Sequence, residues 1–278
     1  MKQTGPLRTW LCYYGLEAPP VIYGRFDLVV FDATYHPVLK RRAGGGPVLL
    51  AYLSAAEVLE EGPWWSRARR SILVEKKPRW NSWVVDLRDP AWQEVLVREA
   101  VPRILDQGFD GLFLDTLDSA LALELWGDAR RFEGTVRAAV LLMKALRRTY
   151  PDAVIALNRG LPVLPQTAAL VDVLVLEGLS SIYEGPETGY VRVDADVRGL
   201  LLEQLAGGLK MNPGLPVLTL DYAPEDRPGL LREAIAYARR KGFVPYVSTK
   251  NLDRIYEHTL DPGFDPHGPL PHPGLRAG

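Results

Sequence analysis

Residues 109–118 read FDGLFLDTLD, and this stretch decides the class of fold. An apolar run, residues 112–114, follows Gly111 and ends at Asp115. Short, continuous apolar runs are typical of strands buried on both faces of a parallel sheet, whereas strands with one solvated face alternate apolar and polar residues. The stretch therefore predicts a buried strand that carries an acidic side chain at its C-terminal end.

Similar apolar runs recur along the whole chain. Together with residues 110–115 they give eight strand candidates, the others being 8–14, 26–32, 47–53, 153–158, 171–177, 216–221 and 243–248. Amphipathic helical patterns separate the later runs, and one of them begins at Asp89-Pro90 and ends at Gly108. Such alternation predicts a parallel sheet, and eight strands predict a closed (β/α)8 TIM barrel of the α/β class rather than an open doubly wound sheet.

One segment departs from the regular alternation. Residues 55–81 are rich in tryptophan and basic side chains, and a ninth strand candidate, 82–86, follows them. We interpret both as an insertion in the third βα unit. Residues 1–260 are then predicted to be a single barrel domain, and residues 261–278, rich in proline and glycine, a loose C-terminal tail.

The composition and the apolar runs argue against nucleic acid as a partner, a membrane span and a disulfide. The chain has 33 basic and 34 acidic residues and a net charge of −1, so nucleic acid is not expected as a partner. No run approaches the roughly 20 apolar residues of a membrane-spanning helix. Cys12 is the only cysteine, so an internal disulfide is excluded. The N-terminus shows no signal peptide, which leaves the compartment open between the cytoplasm and secretion after removal of a leader.

Five of the strand candidates end in an acid: Asp32, Asp86, Asp115, Glu177 and Asp221. In a barrel the C-terminal ends of all strands meet at one face, where active sites are built. An aspartate that follows a strand often caps backbone amides instead, and this structural role stays open for each acid taken singly. Glutamate is a poor helix N-cap, so Glu177 is the acid of the five for which a structural role is the weakest explanation. The five acids together predict a carboxylate-lined active site.

Carboxylates without histidine neighbours suit the hydrolysis of an acetal. One carboxylic acid protonates the leaving oxygen while another carboxylate attacks or activates water. Aromatic residues near the strand ends offer faces for sugar rings: Trp10, Tyr13, Tyr14, Tyr52, Tyr183, Tyr222 and Tyr246. The sequence lacks zinc-ligand spacings and phosphate-binding glycine motifs, so we expect no cofactor and no metal. An oxygen-only Mg²⁺ or Ca²⁺ site made from the same acids is the alternative.

The stretch 109–118 also resembles the GFDGVFLDNVD signature of glycoside hydrolase family 114, the endo-α-1,4-polygalactosaminidase-type barrels. Four further segments fall in the order that this family shows: 51–54, 83–90, 158–160 and 218–222. The resemblance covers roughly residues 8–250. Thr116 departs from it, because the family usually has asparagine at this position.

The resemblance implies a glycosidase that cleaves α-1,4-linked galactosamine or N-acetylgalactosamine polysaccharide. The family's catalytic acids follow the fourth and sixth strands, which corresponds to Asp115 and Glu177. By analogy with the α-galactosidase clan, Asp115 is the expected nucleophile and Glu177 the acid/base. The expected substrate-binding residues are Tyr14, Asp32, Tyr52, Asp86, Asp118, Asn158, Asp221, Tyr222 and Tyr246. Deacetylated galactosamine is cationic near neutral pH, so an acidic cavity suits it.

Two alternative functions stay open. A divalent-metal-dependent barrel hydrolase would use the same acids, and sensitivity to a chelator would reveal it. A catalytically silent carbohydrate-binding barrel would keep the aromatic residues but tolerate the loss of Glu177. The predicted partner is a polysaccharide or oligosaccharide with amino sugars.

Overall fold

The computed structural model describes residues 6–39 and 45–260. Its main sheet has eight parallel strands: β1 (Trp10–Tyr13), β2 (Leu28–Phe31), β3 (Val48–Ser54), β7 (Gly111–Asp115), β8 (Val154–Asn158), β9 (Val173–Glu177), β12 (Val217–Tyr222) and β13 (Val244–Ser248). They are adjacent in this order, which is also their order along the chain. Each overlaps one of the eight strand candidates, and the (β/α)8 barrel prediction is confirmed. The proposed tail, 261–278, lies outside the described residues.

The remaining elements connect these strands. The helices are α1 (Pro20–Tyr23), α2 (Pro90–Val95), α3 (Val101–Asp106), α4 (Leu117–Leu125), α5 (Thr135–Thr149), α6 (Leu164–Thr167), α7 (Ala195–Leu209) and α8 (Pro228–Arg240). The short strands are β4 (Glu57–Leu59), β5 (Leu73–Lys77), β6 (Ser82–Val85), β10 (Ser181–Gly185) and β11 (Gly189–Arg192). Single 3-10 turns lie at Trp65–Arg67, Arg70–Ile72, Pro78–Trp80 and Leu161–Val163. None of the helices in the described ranges combines the length and the apolar character that crossing a bilayer requires.

The described residues divide into two compact units. The first contains Tyr52–Asp172 and Gln204–Leu215, and with them β7 and β8. The second contains the described residues up to Ala51, Val173–Glu203 and the described residues from Pro216 onward, and with them β1, β2, β9, β12 and β13. The single domain over residues 1–260 stays a prediction.

In the first unit the insertion forms a small sheet of its own. Strands β4, β6 and β5 pair antiparallel in that order. This places the ninth strand candidate, 82–86, in the insertion, as predicted. It also means that Asp86 follows a strand of this small sheet and not a barrel strand, which corrects its assignment to the barrel rim.

The helix predicted from Asp89-Pro90 to Gly108 is present but irregular. Asp89 caps it, since its Oδ1 accepts a hydrogen bond from the Trp92 amide at 3.0 Å. A π-helical turn, Leu96–Ala100, separates α2 from α3. Pro102, at the start of α3, has no amide hydrogen for a helical bond to the preceding turn, and the change of hydrogen-bond pattern occurs at this point.

In the second unit the first strand also packs against the last. The Trp10 indole Nε1 on β1 donates to the Val244 carbonyl on β13 at 3.1 Å, and its ring lies edge-on to Tyr246, with centroids 5.8 Å apart. Helix α8 covers β12 and β13 with one apolar stripe. The stripe consists of Leu230, Leu231, Ala234 and Ile235, which are buried together with Val247.

Candidate active site

Asp115 ends β7, and its carboxylate is held from the neighbouring strand. Asn158, the last residue of β8, donates from Nδ2 to Asp115 Oδ1 at 2.9 Å. Asn158 is buried, whereas Asp115 is partly exposed. A buried amide donor fixes the orientation of the carboxylate and leaves the exposed part of the group facing solvent. Asn158 therefore orients the Asp115 carboxylate.

Asp118 connects the loop after β8 to the helix after β7. It lies in the first turn of α4, and its Oδ1 accepts a hydrogen bond from the Gly160 amide at 3.2 Å. Arg159 and Gly160 both have left-handed backbone angles, with φ of 53° and 63°. With this bend, Asn158 at the end of β8 contacts Asp115 at the end of β7, and Gly160 in the following loop contacts Asp118 in α4.

Glu177 ends β9 in the second unit. Tyr222, the last residue of the adjacent strand β12, donates from its phenol Oη to Glu177 Oε1 at 2.7 Å. The parallel register pairs Leu220 of β12 with Glu177 of β9. Tyr222 lies two residues further along β12, and its phenol therefore reaches Glu177. Glu177 and Tyr222 are both partly exposed. Each of the two predicted catalytic acids is thus oriented in the same way, by a neutral hydrogen-bond donor at the end of the next strand.

Asp221 lies beside this pair but is fully buried, with 0% of its surface exposed. Its Oδ1 accepts the backbone amides of Ser180 at 2.6 Å and Ser181 at 2.9 Å, just after Glu177. Burial raises the pKa of Asp221 to about 6, the amide hydrogen bonds oppose this, and the Glu177 charge adds to it. Its contribution to stability is therefore largest below its ordinary pKa of 3.8 and falls as the pH rises through about 6. Asp221 supports the turn after Glu177 and has no exposed surface, and substrate binding by it stays a prediction.

Comparison with known proteins shows the family to which the chain belongs. A family model described as glycoside-hydrolase family GH114 matches residues 2–261. The chain belongs to GH114. The glycoside hydrolase domain of PelA from Pseudomonas aeruginosa is 29% identical, with a TM-score of 0.75 over 90% of this chain and 97% of that domain. A Deinococcus radiodurans protein is 28% identical over 246 residues, which are 83% of this chain and 75% of that protein.

A more distant relative has the same fold. Aspergillus fumigatus Ega3, solved in complex with galactosamine, is 15% identical, with a TM-score of 0.67 over 91% of this chain and 95% of that one. At this identity the likeness shows the fold alone.

Thr116 stands where the family signature quoted above has asparagine, and its backbone conformation is strained. Its φ of 68° is left-handed, a region where asparagine is common and a β-branched residue is a rare outlier that costs about 1–3 kcal/mol. Its hydroxyl offsets this cost. Thr116 Oγ1 accepts the Ala56 amide at 2.9 Å and lies 2.8 Å from Ser54 Oγ and 2.7 Å from the Asp115 carbonyl oxygen. The hydroxyl anchors the backbone that carries Asp115.

We expect Thr116→Val to lower the free energy of unfolding by about 2–3 kcal/mol, because valine keeps the shape and the strained φ but loses these hydrogen bonds. Thr116→Asn should be as stable as the wild type or more so, since asparagine tolerates the left-handed region and retains a short acceptor. Urea unfolding of both variants measures the difference. Equal stability of the valine variant would refute the anchoring role.

Glu57 extends this support into the insertion. Its Oε1 accepts from Ser119 Oγ at 2.5 Å and its Oε2 from Ser82 Oγ at 2.6 Å. Ser119 belongs to α4 and Ser82 to β6, so one carboxylate ties the small sheet to the helix that follows Asp115. The sequence alone assigns these residues no role. Serines are too common for their positions to have revealed it.

Two other predicted site acids are engaged locally. Asp32 Oδ1 accepts the amides of Thr34 and Tyr35, both at 2.7 Å, which is the capping role that the sequence left open. Asp86 forms a two-pronged ion pair with Arg88, at 2.8 Å from Nε to Oδ1 and 2.7 Å from Nη2 to Oδ2. Hydrogen bonds from Arg88 lower the pKa of Asp86 below its ordinary value. Substrate binding by either acid stays a prediction.

The predicted aromatic residues fall into two groups. Tyr14, Tyr52 and Tyr183 are partly exposed, and the Lys250 ammonium lies 4.5 Å from the centre of the Tyr183 ring. Tyr246 has no exposed surface, and its phenol oxygen accepts the Tyr256 amide at 3.3 Å. Burial raises the pKa of this phenol. Tyr246 is therefore a core residue of β13, and its role as a substrate contact stays a prediction.

In residues 6–39 and 45–260, no three or more His, Cys, Asp or Glu side chains are arranged to hold a metal ion. The carboxylates at the strand ends are instead engaged by an amide, a phenol, backbone N–H groups and an arginine.

Proposed function

We propose that this chain cleaves α-1,4-linked galactosamine or N-acetylgalactosamine polysaccharide, with Asp115 and Glu177 as the two catalytic carboxylates. GH114 membership supports a glycosidase. The galactosamine in the Ega3 structure supports an amino sugar as the substrate class. The observation that carries the residue assignment is the shared arrangement of the two acids. They end the fourth and sixth barrel strands, and each accepts a hydrogen bond from a neutral side chain at the end of the next strand.

In the proposed mechanism Asp115 attacks the anomeric carbon while Glu177 transfers its proton to the glycosidic oxygen. The bond between that carbon and oxygen breaks, and a glycosyl ester forms on Asp115. Glu177, now ionised, takes a proton from water, which attacks the same carbon and releases Asp115. Asn158 keeps the Asp115 carboxylate in position, and the Tyr222 phenol orients the Glu177 carboxyl group through both steps.

The side-chain lengths favour these roles. An acid/base must reach the glycosidic oxygen outside the ring, and glutamate has one methylene more than aspartate. Asp115 is shorter and is further restrained by the anchored backbone at Thr116. A positioned nucleophile gains most from such restraint, because it must approach one carbon atom along one direction.

A set of oligosaccharides of equal length tests the substrate. We expect cleavage of α-1,4-linked galactosamine oligomers, whether deacetylated, partly acetylated or fully acetylated, and at least tenfold slower cleavage of the matching α-1,4-galactose oligomer, which lacks the nitrogen at C2. Mass spectrometry of the products shows whether internal bonds are cut. Preincubation with EDTA should leave the rate unchanged, and a rate that falls with chelator and recovers with Mg²⁺ or Ca²⁺ would favour the metal-dependent alternative. Cleavage of the galactose oligomer at the same rate would refute the amino-sugar assignment.

A further inference from the structure

A second concave surface in the second unit has a different chemistry from the acidic strand ends. A cleft of about 580 Å³ lies between the β10–β11 hairpin, α7 and α8. Four arginines line it, Arg192, Arg198, Arg232 and Arg240, together with Glu233 and Tyr237. A lining with four guanidinium groups and one carboxylate is unusual in a chain whose net charge is −1. We call this surface the arginine cleft.

Three of the four arginines of the cleft make defined contacts. Arg192 forms a two-pronged pair with Glu233 at 2.7 and 2.8 Å, which occupies the one carboxylate of the lining. The Arg198 guanidinium lies 4.5 Å from the centre of the Tyr237 ring, and that of Arg240 lies 5.7 Å from it. The tyrosine therefore holds two cations at one wall of the cleft, and no carboxylate of the lining neutralises them.

Two buried donors in the lining also lack acceptors. Arg232 Nε and Ser180 Oγ are both buried, and neither has a hydrogen-bond partner among the described residues. A buried donor without an acceptor costs about 1–3 kcal/mol, and an oxygen of water or of a ligand would relieve this cost. The Ser180 backbone amide donates to Asp221, so the hydroxyl is the remaining donor of this lining residue.

We propose that the arginine cleft binds a phosphate group, carried either by inorganic phosphate or by a small phosphorylated molecule. A tetrahedral phosphate has several acceptor oxygens and two negative charges, which matches donors from several sides and an excess of arginine. A cationic amino sugar would be repelled by the same lining. The cleft volume falls in the range of small-molecule sites. The proposal is independent of the glycosidase function, because none of the four arginines takes part in it.

Isothermal titration of the full chain, with ionic strength held constant by NaCl, tests this proposal. Inorganic phosphate and glucose 6-phosphate are the two probes, and glucose is the uncharged control. We expect saturable binding of phosphate, at least tenfold weaker in Arg198→Gln and in Arg232→Gln, because each loses a charge-assisted hydrogen bond. Tighter binding of glucose 6-phosphate would show that a phosphorylated molecule is the ligand. Equal affinity would show that the phosphate group is sufficient.

The matched control is a second interhelical surface. Arg98 and Arg148 line a smaller cleft in the first unit, together with Glu94. The double variant Arg98→Gln/Arg148→Gln removes two arginines and should bind phosphate as the wild type does. Phosphate heat no greater than that of NaCl, or equal affinity in Arg198→Gln and the wild type, would overturn the proposal. Arg198 is partly exposed on α7, so this variant keeps the test valid even if Arg232→Gln does not fold.

Discussion

Asp115→Asn and Glu177→Gln are each expected to lower the turnover of a galactosamine oligomer by about 10³-fold or more, with normal folding. The amides preserve shape and keep a carbonyl oxygen that accepts from Asn158 or Tyr222, so the hydrogen bonds seen in the structure survive. What they lose is the nucleophilic charge at one position and the transferable proton at the other. Initial rates with reducing-end detection, together with circular dichroism and thermal unfolding, measure both properties.

The two roles are separated by chemical rescue. Azide should partly restore turnover to Asp115→Ala and give a glycosyl azide of inverted configuration, because a small anion can replace a missing nucleophile. Rescue of Glu177→Ala instead, with the same stereochemistry, would exchange the roles. Glu94→Gln, an exposed acid on α2 paired with Arg98, serves as the control and should keep full activity. Wild-type turnover in both amide variants would end the two-carboxylate proposal.

The barrel strands could be predicted because burial on both faces leaves a direct record in the sequence. β7, β8 and β9 are apolar at nearly every position, because consecutive residues of these strands are buried and both faces are therefore covered. The hairpin β10–β11 could not be predicted in this way. Its residues are mostly only partly buried, so neither a continuous apolar run nor a strict alternation appears in residues 181–192. The same hairpin contributes Arg192 to the arginine cleft, which therefore has no signal in the sequence either.

The barrel-strand ends at which Asp115, Glu177 and Asp221 lie were predictable, but the environments of these acids were not. A strand that ends in an acid looks the same in sequence whether the acid is exposed, as Asp115 is in part, or fully buried, as Asp221 is. The difference arises from neighbours that are distant along the chain, such as Ser180 for Asp221 and Arg88 for Asp86, whose approach depends on loop geometry. Thr116 gave no sequence signal of its left-handed backbone, because threonine rarely adopts it. Only the asparagine usual in GH114 indicates that requirement.

Gly111→Ala is expected to lower the free energy of unfolding by about 3–5 kcal/mol, the range reserved for severe steric conflict. A Cβ at residue 111 would lie 1.9 Å from the Val154 carbonyl oxygen and 2.6 Å from the Val154 nitrogen and carbonyl carbon. All three are backbone atoms of the paired strand β8, so no side-chain rotation relieves the contact. The two strands must separate, which breaks hydrogen bonds in the buried sheet. This close approach explains the glycine in the stretch FDGLFLDTLD.

The same displacement should reach the proposed active site. The register that pairs Gly111 with Val154 continues to the ends of both strands, where Asn158 holds the Asp115 carboxylate at 2.9 Å. A shift of β7 against β8 therefore lengthens that hydrogen bond, and turnover should fall even in the folded fraction. Gly199→Ala is the matched control, since a Cβ there meets no atom within 4 Å and alanine favours the helix α7 by about 1 kcal/mol. If urea unfolding showed Gly111→Ala to be as stable as Gly199→Ala, the tight contact between β7 and β8 would not be what selects glycine at this position.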